Sequence, residues 1–381
     1  QGVIKIIAER QQQLDAALHE ISGLDAVMDS FKNFHQQVVE KKDKITQSMN
    51  LHKGLVSALW RLPTEVLSQI FNHCLPETKL LLPPSTLKAP MLLTGICRRW
   101  REVAVGMPNL WCRLYVEVDD RDWDRAAFCY DLWLKRSRGR PLSLALGRYH
   151  STKLRSLLQP YIIHITSLRV SVHSFQGECP QLFITDLPVL QELAILGMTN
   201  PDIPTIAQSI SRLPSTMRSL KVIDMRPFFD AERLSSFSPV WAYLADVQIA
   251  ICHPNAVLHL LHLCPNLSSL TLRVAFDQTE PLNSFTHTKL KSLRILYDAL
   301  LTRPLSGLLN ALSLPNLRAL EARRNASWPH EDTRALLARS KCPLETLTVG
   351  GRVTVTDAQR AEYVSIIPSL EVVVDHSSRY F

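Results

Sequence analysis

A frame of apolar residues with the spacing L-x-x-L-x-L recurs through the C-terminal part of the chain, and it limits the possible folds more than any other feature. It stands at Ile165-Leu168-Val170, Leu190-Leu193-Ile195, Met217-Leu220-Val222 and Leu244-Val247-Ile249. It continues at Leu267-Leu270-Leu272, Leu290-Leu293-Ile295, Leu317-Leu320-Ala322 and Leu344-Leu347-Val349, and more weakly at Leu370-Val373. First members lie 25, 27, 27, 23, 23, 27, 27 and 26 residues apart. Each frame is short and strand-like, and stretches between them such as "DIPTIAQSISRL", "PNAVLHLLHL", "EDTRALLARS" and "TDAQRAEYVSII" are amphipathic at helical spacing. One strand and one helix cannot bury an apolar face alone, so the units must stack. The spacing predicts an α/β solenoid with parallel strands on its concave side.

At 381 residues the chain exceeds one ordinary compact core, so further parts are expected upstream. From Leu14 to about Leu51 the apolar residues Leu14, Leu18, Ile21, Leu24, Met28, Phe31, Val38, Ile45 and Met49 recur at steps of three, four or seven, without proline. This predicts a long amphipathic helix, or two with a break near Gly23. His35 and Lys42 interrupt the seam, and two outcomes stay open: a dimeric coiled coil, or a helix folded back on the rest of the protein.

The pattern then breaks at "SALWRLPTEVLSQIFNHCLPE". Pro63 suits a first helical position and Glu65 favours a helix start, with Val66, Leu67, Ile70, Phe71 and Cys74 on one broad face. The prolines of "LLLPPSTLKAP" (80–90) mark a loop. A helix over 91–105 would line Leu92, Leu93, Ile96, Cys97, Trp100, Val103 and Ala104 on one side, leaving Arg98, Arg99, Arg101 and Glu102 as its polar side. "MPNLW" returns Leu110 and Trp111 to the same core. "RLYVEV" then alternates like a strand, and "RDWDRAAFCYDLWLKRS" is helical.

Two resemblances follow from these stretches. "LCPNLSSLTL" and "KCPLETLTV" show a Cys-Pro lead-in to a strand, and the repeat over roughly residues 140–381 resembles the irregular, cysteine-containing branch of the leucine-rich repeat family. "LPTEVLSQIF", "ICRRWREVA" and "PNLW" together resemble an F-box, with a spacer at about 76–90 longer than in a minimal F-box, in the manner of the large fungal F-box families.

The resemblance implies an α+β multidomain chain: a helical or coiled-coil segment at 1–54, a small all-α F-box at 55–113, and a leucine-rich-repeat-like solenoid at 114–381 with a leading strand and helix. It further implies a non-catalytic substrate receptor of a Skp-cullin-F-box ubiquitin ligase serving ubiquitin-dependent degradation. The F-box would dock on a Skp-type adaptor, and through it on a cullin, by Leu62, Pro63, Val66, Leu67, Ile70, Phe71, Cys97, Trp100, Leu110 and Trp111. Trp100 and Trp111 read equally well as core.

The target is expected on the residues between the apolar members of each frame, such as Arg169, Arg218, Arg273, Arg294, Arg318 and Arg323. Their shared sign suggests an acidic protein surface, and the competing reading is solvated positions. Two alternatives to the ligase are a leucine-rich-repeat binding scaffold and a nucleic-acid-binding protein. For the second, "RRWR" and "LKRSRGR" offer cations, and a net charge of +8 offers attraction. Each cluster also reads as part of a helix: the first as its polar side, the second as its cation-favouring C-terminus.

No cofactor or metal is expected. Glycine supplies only 12 residues, and GxGxxG, GxxxxGK[ST] and GxSxG are absent, which removes the common nucleotide and hydrolase loops. Cys252, His253, His259, His262 and Cys264 read as a repeat helix with its Cys-Pro lead-in; Asp119, Asp120, Asp122 and Asp124 read as a helix start. Eight cysteines without a CxxC pair fit reduced thiols, hence a soluble protein of the cytoplasm and/or nucleus. The apolar stretch 243–263 is interrupted by Asp246, Gln248 and Pro254, so no membrane partner is expected. The first residue, Gln1, leaves room for an upstream start.

Overall fold

A computed structural model describes residues 2–56, 62–75, 87–117, 123–147, 152–171, 187–197, 203–223, 229–276, 282–297, 305–324, 329–351 and 355–375. The chain divides into two compact units, Gln1–Gln69 and Ile70–Phe381. Sequence places boundaries near 54 and 113 instead. Within the second unit the 3₁₀ turn Pro108–Trp111 buries Leu110 and Trp111, Trp111 edge-on to Trp133 with ring centroids 5.0 Å apart.

The first unit is dominated by helix α1, Gly2–Val56. It runs through Gly23 without a break, since one glycine costs only about 1 kcal/mol within a helix of good formers. Its described side chains are exposed almost throughout, apolar seam included.

Helix α2, Thr64–His73, contains the boundary between the units. Pro63 precedes it: the Pro63 carbonyl accepts from the Leu67 amide at 3.1 Å, so Pro63 is the cap and not the first helical residue. The region expected to hold a single helix over 91–105 holds two, α3 (Met91–Ile96) and α4 (Arg98–Gly106). Cys97 separates them in an extended conformation, and its Sγ accepts from the Trp100 amide at 3.5 Å as the cap of α4. Most of the loop at 80–90 lies outside the described residues.

The second unit is α+β, with a large parallel sheet. Eleven strands pair in chain order, β1 (Arg113–Val116), β2 (Leu142–Leu146), β3 (Ile165–Ser171), β4 (Glu192–Leu196), β5 (Ser219–Ile223), β6 (Asp246–Ile251), β7 (Ser269–Val274), β9 (Ser292–Tyr297), β11 (Ala319–Arg324), β12 (Thr346–Gly351) and β13 (Glu371–Asp375). A separate two-stranded parallel sheet joins β8 (Phe285–Thr286) to β10 (Leu312–Ser313). Every sequence frame falls on a strand of the large sheet, and β1 and β2 extend it before the first frame.

Register explains the spacing. Leu168, Leu193, Leu220, Val247, Leu270, Leu293, Leu320 and Leu347 are direct partners from strand to strand, and each is at most 2 % exposed. Helices between the strands cover this face, contributing Val257, Leu260 and Leu261 from Pro254–Leu263 and Leu336 and Leu337 from His330–Ser340. Successive helices pack on one another. The last frame is out of step: Val372 and Val374 pair with Leu347 and Val349, which turns Val373 outward. Three consecutive valines leave the two faces indistinguishable by composition.

Candidate functional site

Two surfaces carry the predicted residues. On the helical region, Leu67, Phe71, Leu110 and Trp111 are fully buried, Leu62, Cys97 and Trp100 half-buried, and Pro63, Val66 and Ile70 exposed. Phe71 packs against Trp100 at 4.9 Å between centroids, and Trp111 donates its indole N–H to the Ala104 carbonyl. Phe71 and Trp111 are therefore core residues, whereas Val66 and Ile70 of α2 are exposed. Leu92 and Ile96 of α3 are outside too, although a single helix over 91–105 would have turned them inward. The break at Cys97 frees them, and apolar spacing carries no sign of it because that spacing continues unchanged across the break.

Several basic residues nearby are engaged within the protein. Arg98 pairs with Glu102 at 2.9 Å, Arg101 donates to the Thr94 carbonyl, and Lys135 pairs with Asp131 at 2.6 Å. The Arg136 guanidinium lies 4.4 Å from the Trp111 ring centre, and Arg140 donates to Asn109 Oδ1. Desolvation of the half-buried Arg136 lowers its pKa.

The second surface is the sheet face opposite the helices. Two rows cross it in register. One runs Ser167, Glu192, Ser219, Asp246, Ser269, Ser292, Ala319, Thr346, Glu371; the other runs Arg169, Ala194, Lys221, Gln248, Thr271, Arg294, Glu321, Thr348, Val373. Parallel sheets are usually covered on both faces, so an open polar face is informative in itself. Between β7 and β12 it forms a depression of about 340 Å³ lined by Ser269, Thr271, Ser292, Arg294, Glu321 and Thr348 among others.

Of the six predicted arginines, Arg169, Arg273, Arg294 and Arg323 lie on strands with their neighbours in these ladders. Arg218 and Arg318 are the residues immediately before β5 and β11, just after the turns at 215–216 and 315–316. Arg218 donates to the carbonyls of Ser215 and Met217. Charge on the face is largely compensated: Glu321 accepts from Arg294 and from Arg323, each at 2.6 Å, and Arg318 pairs with Glu345. Lys221 likewise meets Asp246 at 3.3 Å, and Ser219 donates to the same carboxylate. Sequence reasoning named the cations and missed their acids: those of Arg294 and Arg318 stand one repeat further on and would appear by aligning the frames, and that of Arg323 lies two residues earlier on its own strand.

The other motifs take structural places. Cys264 is fully buried and burial pushes its thiol up to about 12, while His259 shares a hydrogen bond of 2.9 Å with Ser235. Among the described residues no three His, Cys, Asp or Glu side chains are grouped to hold a metal ion, and no helix is long and apolar enough to cross a membrane. Asp124 opens the helix Trp123–Arg136, whereas Asp119, Asp120 and Asp122 lie outside the described residues. The sequence matches no protein-family model and no curated protein.

Proposed function

We propose that this protein is a non-catalytic receptor of a Skp-cullin-F-box ubiquitin ligase, with an F-box at its helical region and a leucine-rich-repeat solenoid that holds a protein target. One observation carries the reading. Ile70, Leu92 and Ile96 are 37 to 51 % exposed on two short helices, whereas the aromatic residues Phe71 and Trp111 are fully buried. Exposed aliphatic residues of this kind are what an obligate helical partner covers. The open polar face of the parallel sheet supports the other half of the reading, since its spaced hydroxyls and compensated charges suit a hydrogen-bonded protein surface. Compensation of Arg294, Arg318 and Arg323 argues for a target recognised by polar complementarity more than by acidity.

In such an assembly the recruited conjugating enzyme performs the chemistry, and the receptor raises the effective concentration of a target lysine beside it. The test is co-expression of the full chain with a Skp-type adaptor, followed by size-exclusion chromatography. A one-to-one complex is expected, and it should be lost in Ile70→Asp, which would place an unpaired charge in the interface while leaving the sheet unit folded. Absence of a complex for the wild-type chain removes the ligase reading and leaves the sheet face as an independent binding scaffold.

A further inference from the structure

Helix α1 is 55 residues long, and its seam residues from Leu14 to Met49 are 47 to 69 % exposed. A helix of this length with an uncovered apolar stripe is the pattern of a helix that pairs. Its charges identify the partner. Residues 9–29 carry Glu9, Asp15, Glu20, Asp25 and Asp29 against Arg10, a formal −4. Residues 32–53 carry Lys32, Lys41, Lys42, Lys44 and Lys53 against Glu40 and Asp43, a formal +3.

The sign changes between Asp29 and Lys32, and the stripe from Leu14 to Met49 has its midpoint between Phe31 and Lys32. Reversing one copy about that point therefore superimposes stripe on stripe and acidic half on basic half. We propose that α1 self-associates as an antiparallel two-stranded coiled coil with α1 of a second copy of this chain.

The polar seam residues favour the same orientation. In a parallel pair Lys42 would face Lys42 of the other copy, and His35 would face His35. In the antiparallel pair Lys42 lies opposite the acidic half. Like-with-like contact along both halves would further oppose the parallel arrangement.

The test uses the full chain in sedimentation equilibrium at low salt. A dimer is expected. The triple change Lys41→Glu, Lys42→Glu, Lys44→Glu turns the basic half acidic and should weaken dimerisation by about tenfold or more, through lost cross-helix pairs. Adding Asp15→Lys, Glu20→Lys and Asp25→Lys exchanges the halves and should restore it. A parallel dimer would be nearly indifferent to the first triple, because like would still face like. Circular dichroism checks that α1 stays helical in both variants. A monomer, an unchanged dissociation constant in the first triple, or no recovery in the sextuple variant each overturns the proposal.

Discussion

The indole N–H of Trp111 donates to the carbonyl oxygen of Ala104 at 2.9 Å, and neither residue is exposed to solvent. This bond closes the turn after α4 onto the helix itself, while the ring meets Trp133 and carries the Arg136 guanidinium. Trp111→Ala should cost about 3–5 kcal/mol by loss of buried ring contacts. Trp111→Phe should cost less, about 1 kcal/mol for the hydrogen bond plus a small packing change, because the Met107 amide still reaches the Ala104 oxygen. Urea unfolding followed by tryptophan fluorescence gives both values, and equal losses would mean that the ring contacts retained by phenylalanine contribute nothing.

Alternation on the strands gives a second prediction from adjacent residues. Leu270 is 1 % exposed beneath the helices, whereas Thr271 lines the open face. Leu270→Ala should destabilise by about 2–5 kcal/mol, and Thr271→Ala should stay within about 0.5 kcal/mol of wild type. For target capture the ranking should invert, with Thr271 the more sensitive position. Denaturant midpoints together with binding to a captured target test both halves.

The same alternation shows why some features are legible in sequence and others are not. Frames from Ile165 to Val349 could be read because each alternates apolar with polar, so only one register buries the apolar set. The final strand lost this information in Val372-Val373-Val374, and its outward residue cannot be told from its inward ones. Helix α1 was legible because its polar and apolar steps persist, but the break between α3 and α4 was not. Cys97 is apolar enough to continue a helical stripe and also able to cap the next helix through Sγ. For the open face, sequence gave the side on which Arg294 lies and not its neighbour. Glu321 is 27 residues away and comes beside it only through the β9–β11 register.

Glu321 itself is 16 % exposed between Arg294, at 44 %, and Arg323, at 22 %. Removing an exposed partner costs about 0.2–1 kcal/mol, and removing a fully buried one about 3–5 kcal/mol. Glu321→Ala falls between, at about 1–2 kcal/mol, since it leaves two guanidinium groups facing each other without their shared acid. The loss should shrink in 1 M salt, where the screening length is about 3 Å. Unfolding free energies measured at low and high salt check this, and a loss unaffected by salt would assign the effect to packing.

Cys264 supplies the pH-dependent prediction. Burial pushes its thiol up to about 12, and burial also raises that of Cys342, whereas Cys74 and Cys129 are exposed. At pH 8 a disulfide reagent should therefore modify Cys74 and Cys129 in the native protein, and Cys264 and Cys342 only after unfolding. The stability consequence has a definite sign. An unfolded thiol releases its proton near pH 9 while folded Cys264 keeps its own, so the folded state binds more protons above that pH and stability falls as pH rises. The stabilisation is fully present below about pH 9 and is lost progressively toward pH 12, at up to about 1.4 kcal/mol per pH unit. Comparing Cys264→Ala with wild type isolates this group from the other alkaline titrations: the variant is less stable at pH 7 through its cavity, and the difference should narrow between pH 9 and 10.5. A constant difference across that range would mean that Cys264 ionises normally in the folded protein.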